Sequence, residues 1–311
     1  MNILIVGGLG YVGGRFADYL LRQYPNYSIH LTTRKKVYPD WAKSRFEFHQ
    51  LDLMETASIN QCLSSLNPEI VFHLGALQQA DCTKNEYLAH KINVEGTKHL
   101  IEDCQRHGVK KYIYLSTFQV YGHFRGIITE ETPVSPQSVY ARTKFEAEQI
   151  VRESSLKSLV IRLSNAYGYP MDNGVPPSVW TLVFNAFAKS AIEHQKIMVG
   201  SNQYRDFITL EDACRAIEHL TFKADTQWGE GLMNVGGNEC LSVQQVAERV
   251  AKVYEQSHPG KKVAIEIPKT EEKFQPFQYN ISRLMATGFA LHGFRKEEIE
   301  KTFQLLLAHY G

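Results

Sequence analysis

Cysteine is scarce in this sequence and follows no recognisable pattern. The chain has 311 residues and five cysteines, an odd number, with no Cys-x-x-Cys pair. Widely spaced, unpaired cysteines are typical of free thiols in a reducing compartment. The same spacing argues against a metal site, and we predict that the protein holds none. The five are Cys62, Cys82, Cys104, Cys214 and Cys240.

Long hydrophobic runs and an excess of one charge are missing as well. No stretch approaches the roughly 18 apolar residues of a membrane-spanning helix, and the start, "MNILIVGG", lacks the charged region and cleavage site of a secretion signal. The 34 Lys and Arg nearly cancel the 33 Asp and Glu, which leaves no broad basic field for nucleic acid or membranes. We therefore predict a cytoplasmic protein with no nucleic-acid or membrane partner.

Short apolar runs do occur, and they alternate with amphipathic stretches up to residue 164. The runs are rich in β-branched and aromatic residues and predict strands, whereas stretches such as 85–107, which Gly108 caps, predict helices. Strands separated by helices pair in parallel through right-handed crossovers, so the pattern predicts an α/β fold with a doubly wound parallel sheet. The predicted strands are residues 2–6, 28–33, 46–51, 69–74, 110–116 and 158–164.

The alternation ends after Gly168. The segment "YGYPMDNGVPP" has the Gly, Pro and Asn content of a linker, and the residues beyond it mix helices with short extended pieces. We predict a main domain of residues 1–168, with residues 203–225 returning to it. Residues 169–202 and 226–311 are predicted to form a smaller C-terminal α/β lobe.

A glycine-rich loop joins the first predicted strand to the first helix. In "VGGLGYVGG", Gly7, Gly10 and Gly13 stand three residues apart. Glycines here allow a sharp turn and bring backbone N–H groups and a helix N-terminus against a pyrophosphate. No Lys-Ser or Lys-Thr follows, which argues against a P-loop. A tight turn would explain the glycines alone, but their place in the βα series favours a Rossmann-type dinucleotide site.

The end of the second predicted strand bears on which dinucleotide binds. About 20 residues after the glycines, a carboxylate usually holds the ribose 2′-hydroxyl of NAD. Here "TTRKK" places Thr33 and Arg34 at that point, followed by Lys35 and Lys36. Basic groups can hold a 2′-phosphate, which favours NADP over NAD. A solvated basic turn is the alternative, and Arg34 could also stack on adenine.

Tyr140 and Lys144 stand four residues apart in "YARTK", so they share one face of a predicted helix. A nearby ammonium favours the phenolate, and such a tyrosine could exchange a proton with a carbonyl oxygen. An exposed helical pair is the alternative interpretation. The pair opens the helix after the fifth predicted strand, which ends in Ser116 and Thr117, and this context favours a reactive pair.

Eight segments together resemble the extended short-chain dehydrogenases/reductases, and within them the nucleotide-sugar epimerase/dehydratase family. They occur in the family's order and cover most of the chain to about residue 245. They are "VGGLGYVGG", "QLDL", "FHLGA", "NVEGT", "YLSTFQVYG", "YARTK", "IRLSNAYG" and "RDFITLEDA".

The resemblance implies roles for particular residues. Tyr140 would be the general acid/base, Lys144 would bind the nicotinamide ribose, and Thr117 would hydrogen-bond the reacting oxygen. Asn165 and Arg205 would approach the diphosphate of a nucleotide sugar. Other residues would contact the NADP or NAD cofactor, namely Gly7, Gly10, Tyr11, Val12, Gly13, Thr33, Arg34, Asp52, Leu53, Leu74, Gly75, Ala76, Asn93, Tyr140 and Lys144.

Plain structural roles are the alternatives for several of these residues. Asp52 could cap a strand end, Asn93 could make a polar contact within a helix, and Arg205 could form a surface ion pair. His73 is more simply interpreted as a core histidine. The resemblance also implies a homodimer through helices 85–107 and 138–156, which fits an apolar stripe of Leu88, Ile92 and Leu100.

The reaction is narrowed by the two residues after Thr117. Family members that are 4,6-dehydratases carry Asp-Glu there, whereas this chain has Phe118 and Gln119, which cannot exchange protons at neutral pH. We therefore predict hydride transfer by a 4-epimerase or a 4-ketoreductase and disfavour dehydration. A non-catalytic NADP-sensing regulator is the alternative. The segment 264–285 departs from the family's usual pattern, so the sugar and the nucleotide stay open.

Overall fold

Fourteen strands form the sheets of the chain, which a computed structural model describes over residues 1–34, 38–267 and 274–310. Lys35 and Lys36, two of the predicted basic residues, lie outside these ranges. The strands are β1 Asn2–Val6, β2 Ser28–Thr33, β3 Glu47–Gln50, β4 Ile70–His73, β5 Lys111–Thr117, β6 Ile127–Ile128, β7 Ser158–Leu163, β8 Asn165–Tyr167, β9 Lys196–Met198, β10 Tyr204–Thr209, β11 Leu232–Val235, β12 Cys240–Ser242, β13 Ala264–Glu266 and β14 Gln278–Tyr279.

Seven of these strands form one sheet in the order β11-β7-β5-β4-β1-β2-β3, and every neighbouring pair is parallel. The chain runs from β1 outward to β3 and then returns to β4, on the other side of β1. This reversal makes the carboxyl ends of β1 and β4 the topological switch point, where open α/β sheets bind ligands.

The helices connect these strands and cover the sheet. Within the described ranges, none is long and apolar enough to cross a membrane. They are α1 Tyr11–Gln23, α2 Asp40–Lys43, α3 Thr56–Leu66, α4 Gln79–Lys84, α5 Glu86–His90, α6 Gly96–Arg106, α7 Val139–Glu153, α8 Val183–His194, α9 Leu210–Phe222, α10 Val243–Ser257, α11 Ser282–Ala286 and α12 Lys296–Tyr310.

Hydrophobic residues pack on both faces of the large sheet. On one face, Phe16 of α1 and Ile217 of α9 belong to a buried cluster with the strands. On the other face, Leu63 of α3, Leu100 of α6 and Val151 of α7 do the same. Helices on both faces of a parallel sheet define the doubly wound architecture, so the predicted fold class is confirmed.

A smaller lobe follows, with its own core around α8, α10 and α12. It contains the three-stranded sheet β12-β10-β8 and the pair β13-β9, so β8 and β10 lie in this sheet and not, as predicted, in the main domain. The predicted boundary at residue 226 needs a correction, because β11 pairs in parallel with β7 and extends the large sheet. Residues 232–235 therefore belong to the main domain.

A buried ion pair joins the two lobes beside the glycine-rich loop. The Arg15 guanidinium on α1 donates two hydrogen bonds to the Glu298 carboxylate on α12, each 2.7 Å long. It also donates to the Tyr169 carbonyl oxygen at 2.9 Å and lies 3.8 Å from the centroid of that ring. Bidentate geometry and the additional partner offset the cost of burying both charges.

Candidate active site

The glycine-rich loop lies at the switch point and approaches the loop after β4 very closely. Gly7 has a φ of +82°, and a Cβ on it would lie 2.5 Å from the Gly75 Cα. A Cβ on Gly13 would lie 2.1 Å from the Gly7 carbonyl oxygen. Only glycine permits this packing, which places the start of α1 at the carboxyl ends of β1 and β4.

The N-terminus of α1 has the properties of an anion site. Its N-cap is Gly10, which has no side chain to accept a hydrogen bond from the first helical N–H groups. Those groups and the helix dipole are thus available to a negatively charged ligand. The glycine cradle and the uncapped helix fit the pyrophosphate of a dinucleotide.

A single cleft of about 1690 Å³ opens in front of this cradle. It brings together residues that are far apart in the sequence, and its volume exceeds the roughly 300–1,000 Å³ of an ordinary ligand pocket. All but one of the predicted site residues line it, namely Gly7, Gly10, Tyr11, Val12, Gly13, Thr33, Arg34, Asp52, Leu53, Leu74, Gly75, Ala76, Thr117, Tyr140, Lys144, Asn165 and Arg205.

Asn93 is the exception, because it lies behind the wall of the cleft. It is 2% exposed, and its Oδ1 accepts a hydrogen bond from the Leu77 N–H at 2.7 Å. Its Nδ2 donates to the Thr143 Oγ1 at 3.1 Å. Asn93 therefore braces the segment after β4 against α7. These contacts join separate elements and not, as the alternative had it, positions within one helix, and a cofactor contact by Asn93 stays a prediction.

The ribose end of the cleft carries no carboxylate at the end of β2. Thr33 ends that strand, and the exposed Arg34 follows it along the cleft. Asp52 lies across from them after β3, where its Oδ1 accepts a hydrogen bond from the Met54 N–H at 3.0 Å. Asp52 thus caps the turn after β3 and also faces the cleft.

Tyr140 and Lys144 lie in the first two turns of α7, which begins after the N-cap Ser138. Lys144 is 2% exposed, and burial lowers its pKa to about 7 because an ammonium loses its hydration there. Burial likewise raises the pKa of Tyr140 above its ordinary value, since it destabilises the phenolate. Burial sets the direction of this shift, and the expectation that the Lys144 ammonium favours the Tyr140 phenolate stays a prediction.

Thr117 stands at the end of β5, in the same cleft as Tyr140. Its Oγ1 accepts a hydrogen bond from the Gln119 N–H at 3.2 Å and begins the 3₁₀ turn Phe118–Tyr121. This bond fixes the rotamer of the side chain. Within the described part of the chain this hydroxyl donates to no other group, so Thr117 can donate to an oxygen in the cleft.

Sequence reasoning missed a buried charge network behind this pair. Glu148, four residues after Lys144, accepts a hydrogen bond from Arg162 at 2.7 Å and another from Ser116. Both partners of the ion pair are at most 2% exposed. The Glu148 carboxylate favours the charged form of Lys144, against the effect of burial. The spacing of four residues on one helical face was the available signal.

His73 ends β4 beneath the site but takes no part in it. It is 1% exposed, and its Nδ1 lies 2.7 Å from the Tyr112 hydroxyl oxygen. Burial lowers its pKa to about 3, which keeps the imidazole neutral. The interpretation of His73 as a core histidine is confirmed.

Asn165 on β8 and Arg205 on β10 also line the cleft. The Asn165 Nδ2 donates to the Asp206 carbonyl oxygen at 2.9 Å. Over the described ranges, no carboxylate raises the pKa of the Arg205 guanidinium, and burial lowers it. An unneutralised cation in a cleft is suited to an anionic ligand such as a diphosphate.

The helices expected at a dimer interface are largely occupied within the chain. The predicted helix 85–107 is interrupted by a π-helical turn, Lys91–Glu95. Leu100 is fully buried and Ile92 is 8% exposed, so most of the apolar stripe packs into the chain's own core. That stripe does not support an interface, and the homodimer stays a prediction.

Comparisons with known proteins agree with this geometry. The family model of the NAD dependent epimerase/dehydratase family matches residues 3–236. An uncharacterised UDP-glucose epimerase of Bacillus subtilis is 25% identical over 276 residues, which cover 81% of this chain and 82% of that one. A dTDP-glucose 4,6-dehydratase of Neisseria gonorrhoeae is 24% identical over 294 residues, covering 85% and 81%.

Among solved structures, a UDP-glucose 4-epimerase of Thermus thermophilus in complex with NAD has a TM-score of 0.81. It is 21% identical and the match covers 99% of each chain, so it shows the fold. The cleft and glycine cradle are those of a dinucleotide-binding protein. The chain belongs to the NAD dependent epimerase/dehydratase family.

Proposed function

We propose that the chain transfers a hydride between a nicotinamide cofactor and a carbon of a nucleotide-linked sugar, as a 4-epimerase or a 4-ketoreductase. One observation carries this proposal. Tyr140, Lys144, Thr117 and Arg205 line the same cleft as the Gly7 cradle. One continuous site can therefore bind a dinucleotide, a carbonyl group and a diphosphate.

The side chains of the cleft divide the chemistry between them. The nicotinamide, when bound, accepts or supplies the hydride. Tyr140 gives its proton to the carbonyl oxygen during reduction and takes one back during oxidation. Its raised pKa keeps the phenol protonated, ready for the acid role. Thr117 orients the oxygen through its free hydroxyl hydrogen.

Lys144 and Arg205 bind the two ligands rather than move protons. Lys144 is positioned to hold the cofactor ribose and, once paired there, to remain charged near Tyr140. No carboxylate in the described ranges raises the pKa of Arg205, so its guanidinium is suited to the diphosphate of the sugar nucleotide. The wide cleft leaves room for a sugar between them.

The residues after Thr117 support hydride transfer without loss of water. Phe118 is 4% exposed and packs against Phe124, with ring centroids 4.9 Å apart. Gln119 faces the cleft but cannot exchange a proton near neutral pH. Because the relatives include a 4,6-dehydratase, family membership alone does not separate these reactions, and the proposal depends on these two side chains.

Of the two nicotinamide dinucleotides, NADP is the proposed cofactor. The support is the absence of a carboxylate at the end of β2 and the position of Arg34 on the cleft. A 2′-phosphate would meet a guanidinium there, whereas an Asp would repel it. Two acidic residues follow on the cleft, Asp40 in α2 and Asp52 after β3, and Asp52 already accepts a hydrogen bond from Met54.

The proposal is tested by denaturing the purified chain and identifying any released cofactor by mass spectrometry. The chain is then assayed with NADPH and NADH on a panel of nucleotide sugars and their 4-keto forms. Net oxidation of NADPH indicates a ketoreductase, and conversion without net cofactor use indicates an epimerase. Binding of NADPH without turnover of any sugar nucleotide would favour the alternative, an NADP-sensing regulator. Formation of a 4-keto-6-deoxy sugar would contradict the interpretation that Phe118 and Gln119 argue against dehydration.

A further inference from the structure

Three side chains with metal-binding atoms face one another on the edge of the large sheet. His30 lies on β2, and Glu47 and His49 lie on β3, the outermost strand. His30 pairs with Glu47 in the strand register, and His49 follows two residues later opposite Thr32. Residues two apart share a face of a strand, so the backbone places all three on one side. None of the three lines the cleft.

The separations between their donor atoms match a metal coordination shell. The His30 Nδ1 lies 3.0 Å from the His49 Nε2 and 3.2 Å from the Glu47 Oε2. All three atoms lie within 4.8 Å of one another. Ligands around a tetrahedral zinc ion, each about 2.0–2.1 Å from the metal, are about 3.3 Å apart. An ion could therefore enter if the His30–His49 and His30–Glu47 separations widened by at most a few tenths of an ångström.

The other nitrogen of His30 has a partner of the kind that metal-binding histidines use. The His30 Nε2 lies 2.9 Å from the Ser28 Oγ. A histidine that binds metal through one nitrogen usually donates a hydrogen bond from the other, which fixes the ring and its tautomer. A hydroxyl can accept that hydrogen bond as well as donate one, so Ser28 suits both the metal-free and the metal-bound tautomer.

The charge and exposure of the group also suit an ion. His30 is 5% exposed at its side chain, whereas Glu47 is 72% exposed. The outer strand thus leaves a path from solvent to the donor atoms, and Glu47 supplies a negative charge.

We propose that His30, Glu47 and His49 bind one divalent transition-metal cation of the zinc class, with water as a fourth ligand. Two imidazoles and one carboxylate favour zinc over magnesium or calcium, which prefer oxygen ligands. The cysteine spacing could not indicate this site, because its ligands are histidines on neighbouring strands. The sequence signal is the alternation of Glu47 and His49, with His30 on the preceding strand.

A metal ion here would link the edge strand β3 to β2. These two strands carry Arg34 and Asp52 just beyond their carboxyl ends. A ligand that binds the folded chain but not the unfolded chain stabilises the folded chain by mass action. We therefore expect zinc to raise the thermal unfolding midpoint of the full chain, independently of any substrate or cofactor.

The test uses the full chain, freed of metal by a chelator and titrated with zinc chloride against a chromophoric competitor. The wild type should bind one zinc ion tightly per chain. Loss of an outer partner of a metal ligand typically weakens binding by about 10–100-fold, so loss of a ligand should weaken it by at least about tenfold. Glu47→Gln and His49→Gln should both show this loss, and the zinc-dependent rise in the unfolding midpoint should disappear with it.

The matched control is His194→Gln, which removes an exposed histidine at the end of α8. It should bind zinc as the wild type does. Glu47 is largely exposed, so Glu47→Gln keeps the fold and remains informative if His49→Gln does not. The proposal would be overturned if the wild type bound no stoichiometric zinc. It would also be overturned if Glu47→Gln, together with His49→Gln where that variant folds, bound zinc with wild-type affinity.

Discussion

The ammonium of Lys144 lies 4.0 Å from the centroid of the Tyr114 ring. The ring face attracts the cation and offsets part of its lost hydration. Burial still dominates, and the pKa of Lys144 falls from 10.5 to about 7. Between these two values the unfolded chain holds a proton that the folded chain lacks, so the free energy of unfolding rises with pH from about 7 to 10.5.

Replacing this lysine should therefore stabilise the chain without cofactor. Lys144→Met keeps the aliphatic stem and removes the buried charge. We expect the free energy of unfolding at pH 6 to rise by at least about 1 kcal/mol, since one pKa unit corresponds to about 1.4 kcal/mol. The gain should shrink as the pH rises toward 10.5. Urea unfolding at several pH values measures it, and a variant less stable than the wild type at pH 6 would refute the assignment.

The Glu148 carboxylate holds Arg162 inside the core. Glu148→Gln should lower the free energy of unfolding by about 3 kcal/mol, because removing one partner leaves a buried charge unpaired. Glu146→Gln on the same helix is the matched control, since Glu146 is 45% exposed and should change stability by less than about 1 kcal/mol. Equal stability of the two variants in urea unfolding would contradict the role of the network.

Cofactor preference should depend on Arg34. Arg34→Asp should weaken NADPH binding by at least about tenfold, because a charge-assisted bond is replaced by repulsion. NADH binding should change little or improve. Arg125→Asp is the control, since Arg125 is exposed and does not line the cleft. Fluorescence titration with NADPH and with NADH measures the two affinities. Equal losses of affinity for both cofactors would mean that Arg34 only stacks on adenine.

Thr117 should orient the substrate without changing its own protonation state. Thr117→Val keeps the shape of the side chain and removes its hydroxyl. The rate should fall, because an oxygen in the cleft loses its donor, while the pH profile should keep its position. A pH–rate profile of the variant beside the wild type checks this. A shifted profile would show that Thr117 is part of the ionising group.

Much of the main sheet could be predicted because each strand is a short apolar run with clear ends. The predicted strands 2–6 and 28–33 coincide with β1 and β2, and 69–74 differs from β4 by one residue at each end. The glycine cradle was predictable too, because Gly7 and Gly13 occupy positions that no other residue fits. These features are determined by local sequence.

Other features depend on contacts between distant parts of the chain. The four residues of β11 give no local sign that they extend the large sheet beside β7. The direction of the Asn93 amide depends on Leu77 and Thr143, and the pKa of Tyr140 depends on how the helix is buried. Spacing along one helix could place Tyr140 beside Lys144, but it could not predict how far burial removes water from the two side chains.

The most direct test of the central claim is the hydride-transfer rate of Tyr140→Phe in a single turnover. The measurement uses the nucleotide sugar that the wild type converts, with saturating cofactor. The variant keeps the ring and α7 but has no proton to exchange. We predict a fall of roughly a hundredfold or more, with cofactor affinity nearly unchanged. A wild-type rate in Tyr140→Phe would show that Tyr140 and Lys144 are an ordinary helical pair.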